Sequence, residues 1–232
     1  AQVLSGLANE GYEVILVSSG AIAVGANKMG LQQKPKELKL KQAAASVGQC
    51  ELMHLYDKFF SEYGKMVSQI LLSGDDVENP VKKQNLRNTF FTLIEHNIIP
   101  IVNENDSVSY TEIESNDRLF GDNDMLSSVV AVLCRASKLV IFSDIDGFYN
   151  CDPRLHPDAK LIEEIDKIDD EVYKLAGGAG SRRGTGGMRT KLQAAALATS
   201  QGIDTIITNG KNPAALYDII EGVPVGTKFK AQ

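Results

Sequence analysis

At 232 residues the chain is long enough for one large domain or two small ones, and a hydrophobic content of 43% supports a buried core. A net charge of -6 with no long Lys/Arg run argues against a non-specific nucleic-acid binder, so any phosphate affinity must be local. Cys50, Cys134 and Cys151 lie far apart and outside any C-x-x-C pattern, so neither a disulfide framework nor a zinc site is indicated and a reducing cytoplasm is the simplest setting.

Residues 1–9 carry helical apolar spacing at Val3, Leu4 and Leu7, and Gly11 ends the pattern. No apolar run reaches the length of a membrane span, and the opening lacks the layout of a signal peptide. Ala1 has no Met before it and the chain begins inside this helix, so an upstream segment is expected. Residues 13–17 read as a parallel strand buried on both faces. It delivers Ser18-Ser19-Gly20-Ala21-Ile22, two hydroxyls and a glycine where open α/β sheets bind ligands. A Ser N-cap followed by a glycine turn accounts for the same residues.

Residues 28–39, with Pro35, read as a surface connector, and 40–63 as a long helix with Leu52, Leu55, Tyr56 and Phe59 on one face. That face packs on the core by default and can also meet another subunit. Residues 65–72 read as a strand and 80–96 as a helix opened by Pro80; His54 and His96 have no metal-ligand spacing and read as packing or surface residues. Residues 98–102 form another strand signal, followed at once by Asn103-Glu104-Asn105-Asp106. The polar, non-periodic stretch continues to Gly121, a length that is usually functional or mobile. It closes with Gly121-Asp122-Asn123-Asp124 before the apolar run 125–134. One cap needs one such residue, so this surplus of amides and carboxylates points to a site that reads a polar ligand.

Residues 138–142 form the next strand, with Ser143-Asp144 at its end and a turn through Asp146-Gly147. A turn at Asp152-Pro153, a short apolar segment at 161–165 and a helix at 169–175 precede the glycine-rich stretch 177–187. Within it Gly184-Thr185-Gly186-Gly187-Met188-Arg189-Thr190-Lys191 leads into an alanine-rich helix expected to start near Met188. Glycine N–H groups, a helix N-terminus and a lysine suit a phosphate, whereas the Walker spacing is not matched; a plain flexible connector is the competing reading. Residues 203–208, 213–220 and 227–229 add a strand, a helix and a weak strand. There is no internal repeat. The alternation predicts an α/β fold, a three-layer αβα sandwich with a mainly parallel central sheet and right-handed crossovers.

Taken together and in this order, these five motifs resemble the amino acid kinase family over essentially the whole chain. The resemblance implies one kinase domain over 1–232, with a glutamate-binding part mainly in 1–135 and a nucleotide-binding part mainly in 136–232. Two departures stand out. The family's N-terminal strand, with its Lys and Gly-Thr-Ser turn, does not precede Ala1, which reads as truncation. The chain also stops soon after Phe229, so the PUA domain of many relatives is absent, as in the short forms.

The resemblance further implies ATP-dependent phosphorylation of the γ-carboxylate of L-glutamate, the first step of proline synthesis. Mg²⁺ would accompany ATP, and proline would act as feedback inhibitor. A cytoplasmic homo-oligomer, dimer or tetramer, is implied, with glutamyl phosphate reductase as a possible downstream partner and no nucleic acid or membrane. Ser19, Asp106 and Asn123 resemble the glutamate-binding residues, with Gly20, Asn103 and Asp122 shaping the pocket. Ser143, Asp144, Thr185, Gly186, Gly187, Met188, Arg189, Thr190 and Lys191 resemble the nucleotide-binding residues. Lys191 resembles the lysine that contacts the transferred phosphate, and Asp124 the carboxylate that holds active-site lysines. A carboxylate substrate is already ionised and needs no general base, so the demand on the protein is electrostatic. A non-catalytic nucleotide or amino-acid sensor, motivated by the missing lysine strand, is the competing class; a structural assembly protein leaves the polar strand ends unexplained.

Overall fold

The computed structural model describes residues 1–33, 35–108, 123–176 and 186–232. They divide into two compact units, Ala1–Asn123 and Asp124–Gln232. In the first, β1 (Leu16–Val17), β2 (Met66–Leu72) and β3 (Ile98–Glu104) form a parallel sheet ordered β1-β3-β2. Its helices are α1 (Gln2–Asn9), α2 (Ala21–Lys28), α3 (Leu38–Ser61), α4 (Gly74–Glu78) and α5 (Pro80–Glu95). Parallel pairing brings the carboxyl ends of all three strands to one edge, so the segments after Val17, Leu72 and Glu104 share it.

The strand expected at 13–17 is two residues long and half-buried, because β1 is an edge strand of this sheet. β3 runs two residues further than its apolar run, so Asn103 and Glu104 belong to the strand itself. Pro100 sits in this central strand without breaking the ladder. The β1 side of β3 carries the even-numbered groups, as the bond from Ser18 N–H to the Val102 carbonyl shows, and β1 begins only opposite Ile101. The N–H that Pro100 lacks would therefore face a stretch with no ladder partner in β1.

The helix expected at 40–63 is α3, but its buried residues are Ala44, Ala45, Gly48, Gln49 and Phe60. Phe59, predicted on the core face, is 45% exposed, and Leu52 and Leu55 are half-buried. Small residues let α3 lie close to α2, and the inward stripe follows them rather than the largest apolar side chains. Phe60 packs with Ile99 and Ile101, joined by Leu16, Met53 and Tyr56. His54 and His96 are exposed.

The short helix α4 has no counterpart in the sequence reading. Ser73 N–H and Oγ–H both donate to Asp76 Oδ2, at 2.9 and 2.6 Å, closing its first turn. The hydrogen bond from the Ser73 hydroxyl holds the Asp76 carboxyl below the usual carboxylate range. A depressed folded value gives stability that is fully present above about pH 4 and lost as pH falls through that value. Ser73→Ala is expected to cost about 1 kcal/mol at pH 7, with the gap to wild type narrowing below about pH 4. Urea unfolding of both proteins at several pH values checks this.

In the second unit, β4 (Lys138–Ser143), β5 (Glu164–Ile165), β6 (Asp204–Asn209) and β7 (Thr227–Phe229) are ordered β4-β6-β7-β5. The β4/β6 and β5/β7 pairs are parallel and β6/β7 is antiparallel. The helices are α6 (Asn123–Cys134), α7 (Asp170–Ala176), α8 (Gly186–Thr199) and α9 (Ala215–Glu221). α8 starts two residues before the expected Met188. Its fully buried Leu192, Ala194, Ala195 and Ala198 pack with Ile207, Phe148 and Phe229, the alanines allowing a close approach to the sheet. Strands and helices thus alternate in both units, and their sheets are mainly parallel, as the apolar runs predict.

Candidate functional site

In the first unit Gly20, at φ 90°, turns the chain from β1 into α2. It also occupies the N-cap position, and no side chain caps the helix, so the Ser N-cap reading of this segment does not hold. Ser18 is buried, its hydroxyl 2.8 Å from that of Tyr56 on α3, whereas Ser19 is exposed.

At the end of β3, Asn103 is 2% exposed. Its Oδ1 accepts the Glu104 N–H at 3.0 Å, and its Nδ2 donates to Gln49 Oε1 at 2.9 Å. Asn105 N–H donates to the Leu72 carbonyl at 2.8 Å, and Ser107 Oγ–H donates to Asn105 Oδ1 at 2.8 Å. These bonds fix the backbone through Asp106, which is half-buried. Asp106 lines a cavity of about 370 Å³ together with Gln49, Cys50, Met53, Glu104 and Asn105. Ser19, Gly20, Asn103 and Asn123 do not line it. Asp122, like most of the polar stretch that ends at Gly121, lies outside the described residues.

Asn123, the last residue of the first unit, and Asp124, the first of the second, open α6, both half-buried. Lys191, in the second turn of α8, donates from Nζ to Asp124 Oδ2 at 2.7 Å, with the two side chains 15% and 18% exposed. An ion pair this sheltered is screened far less than a surface pair, and it holds the ammonium in one place. Gly186 and Gly187 form the first turn of α8, whose leading N–H groups have no intrahelical acceptor. Among the described residues, a Cβ built on Gly187 meets nothing within 4 Å. Arg189 is exposed, Thr190 Oγ–H bonds back to the Gly187 carbonyl at 3.1 Å, and Met188 packs against the core. Thr185 lies outside the described residues.

Ser143 ends β4, where its hydroxyl donates to Asp144 Oδ1 at 3.2 Å and its carbonyl accepts the Gly210 N–H at 2.9 Å. A group that the sequence reading missed gathers beside it. Asn209, at the end of β6, donates from Nδ2 to Asp146 Oδ1 at 2.8 Å, and Tyr149 O–H donates to Asp146 Oδ2 at 3.2 Å. Burial first, then the Asp146 charge, raises the Tyr149 phenol above its usual value. The signal that finds Asn209 is its place at the carboxyl end of a parallel strand, the rule already applied to Ser143.

These groups divide by chemistry. The first unit offers carboxylates and amides around a pocket, suited to an ammonium and a carboxylate. The second offers a helix N-terminus and a fixed lysine, suited to phosphate.

A profile of the amino acid kinase family matches residues 1–209. The glutamate 5-kinase of Clostridium perfringens (strain 13 / Type A) is 55% identical over 231 residues, covering 100% of this chain and 86% of that protein. The glutamate 5-kinase of Listeria innocua serovar 6a is 52% identical over 232 residues, covering 100% of this chain and 84% of that protein. Among solved structures, the isopentenyl phosphate kinase of T. acidophilum in its product complex matches with a TM-score of 0.64 at 18% identity, over 99% of this chain and 88% of that one, which speaks for the fold alone. With the family profile extending over most of the sequence and relatives this similar along its full length, the chain belongs to the amino acid kinase family.

Proposed function

We propose that the chain catalyses ATP-dependent phosphorylation of the γ-carboxylate of L-glutamate, giving L-glutamyl 5-phosphate and ADP, the first step of proline synthesis. The phosphotransfer part is carried by one observation, the Lys191 ammonium fixed by Asp124 on the helix that opens with Gly186 and Gly187. The choice of glutamate is supported by the similarity to the two glutamate 5-kinases.

An oxygen of the ionised γ-carboxylate attacks the γ-phosphorus of ATP, the bond from that phosphorus to the bridging oxygen breaks, and ADP leaves; no proton changes hands. Lys191 neutralises charge on the moving phosphoryl group, while Asp124 keeps the ammonium oriented. The first N–H groups of α8 receive phosphate oxygens, and Ser143, Asp144, Met188, Arg189 and Thr190 border the nucleotide. Asp106 accepts the α-ammonium of glutamate, and Ser19 and Asn123 complete its hydrogen bonds. Mg²⁺ enters with ATP, and no protein ligand is assigned to it.

Proline, which carries the same α-carboxylate and ammonium, competes in the Asp106 pocket as a feedback inhibitor. The chain assembles as a dimer or tetramer, consistent with the exposed Phe59 of α3. A cytoplasmic setting suits its three free cysteines; no helix among the described residues is long and apolar enough to cross a membrane. Inhibition curves and sedimentation check the first two points.

The central test incubates the protein with ATP, Mg²⁺, glutamate and hydroxylamine. A glutamyl hydroxamate is expected. Turnover with aspartate, N-acetylglutamate or UMP in place of glutamate reassigns the substrate, and ligand-dependent thermal shifts without any turnover identify a sensor.

A further inference from the structure

Gln49 belongs to none of the motifs, yet it lines the Asp106 cavity with its side chain bonded to Asn103. It is 8% exposed, in the middle of α3. Its amide orientation follows from its neighbours by elimination. The Glu104 backbone N–H can only donate, so the Asn103 atom that receives it is Oδ1, and Nδ2 is the Asn103 atom facing Gln49. An Nδ2 donor requires an acceptor, so Gln49 presents Oε1 to it at 2.9 Å and its own Nε2 points away. That Nε2 is buried and has no hydrogen-bond partner among the described residues. A buried donor without a partner is costly, and such groups in folded proteins call for an explanation.

A ligand oxygen supplies it. The donor belongs to a residue that lines the same cavity as Asp106, and the carboxylates there favour a cationic group. In an α-amino acid the ammonium and the α-carboxylate share one carbon, so a pocket that holds the first against Asp106 places the second within reach of a donor on the same wall. An uncharged N–H is the suitable reader, since a lysine or arginine would pair with Asp106 and Glu104 instead.

Resting on the glutamate reading above, we propose that Gln49 is a substrate-positioning residue whose Nε2 donates to the α-carboxylate of the amino acid in the Asp106 cavity. The Asn103 bond serves to aim it. Asn103 itself does not line the cavity and acts through Gln49.

Gln49→Glu tests this, because glutamate keeps the shape and still accepts from Asn103 while replacing the donor with an anionic oxygen. KM for glutamate is expected to rise on the order of 100-fold, with kcat and KM for ATP within about 3-fold of wild type and an unchanged melting temperature. A KM for glutamate within about 3-fold of wild type overturns the proposal, and so does a parallel loss in all three parameters. A second measurement needs no variant. Cys50 is exposed and lines the same cavity, so glutamate is expected to slow its alkylation by N-ethylmaleimide, read by peptide mass, while ATP alone does not. If the wild type forms hydroxamate yet glutamate leaves Cys50 unprotected, the positioning role fails and the catalytic reading stands. If the wild type forms none, both fall.

Discussion

Lys191→Ala is expected to lower kcat by about 10³-fold while leaving the affinity for glutamate within a few-fold of wild type. The Lys191 side chain is 15% exposed and its ammonium is held at 2.7 Å by Asp124, so the charge it brings to a phosphoryl group is already oriented and only weakly diluted by solvent. Its loss removes stabilisation of the charge on the phosphoryl group in transit between the carboxylate and ADP, which is why the effect falls on turnover. Lys191→Arg restores only part of the rate, because a planar guanidinium does not place a point charge at the ammonium position. Asp106→Ala provides the contrast, raising KM for glutamate with a smaller change in kcat. Steady-state kinetics with both substrates varied, coupled to ADP release, measures the four quantities. Equal losses in kcat and glutamate affinity in both variants would refute this division of labour.

Gly48→Ala is expected to destabilise the protein by about 3 kcal/mol, lowering the melting temperature by roughly 6–12 °C. A Cβ at Gly48 would stand 1.8 Å from the Ala21 carbonyl oxygen and 2.6 Å from Gly25 N, and a Cβ at Gly25 would stand 1.7 Å from the Ala44 carbonyl oxygen. Here α2 and α3 touch backbone to backbone, and Lys28 pairs with Glu51 between the same two helices. An added methyl must push the helices apart. The sign is diagnostic, since Gly→Ala in an unconstrained helix interior gains about 1 kcal/mol. The contact also matters to the pocket: α2 follows the Ser18-Ser19-Gly20 turn, and Gly48 precedes Gln49. Thermal and urea unfolding read the stability, and a variant that melts at or above the wild-type temperature would mean that the helices are not packed at this distance.

Much of the backbone was legible from local patterns. The apolar runs at 65–72, 98–102, 138–142 and 203–208 are strands to within two residues at either end, and Pro80, with Asn79 accepting from Val81 and Lys82 N–H, opens α5 as the Pro predicts. These signals are readable because strand burial and helix capping depend on residues close in sequence. Reading failed where tertiary contact overrides pattern. Phe59 is larger and more apolar than Gly48, yet Gly48 is buried and Phe59 exposed, because the close approach of α2 selects for absence of a side chain. The Ser18-Ser19 pair offered a cap to α2, but Gly20 takes that position and Tyr56 takes the Ser18 hydroxyl.

By itself, then, the sequence determined the alternation of strands and helices, the polar strand ends, the glycine-lysine start of α8 and, through the order of its motifs, the family. The first three follow from residues within a turn or two of one another, and the family from the order of such local motifs along the chain. Only the tertiary structure decided the partnerships: Lys191 with Asp124 across 67 residues, Asn103 with Gln49 across 54, and Ser18 with Tyr56 across 38. Such pairs leave no periodic trace along the chain. They are set by where the sheet and helix packing carries each backbone, and the electrostatics of the site depends on them because an ammonium or an amide acts only from the position at which its partner holds it.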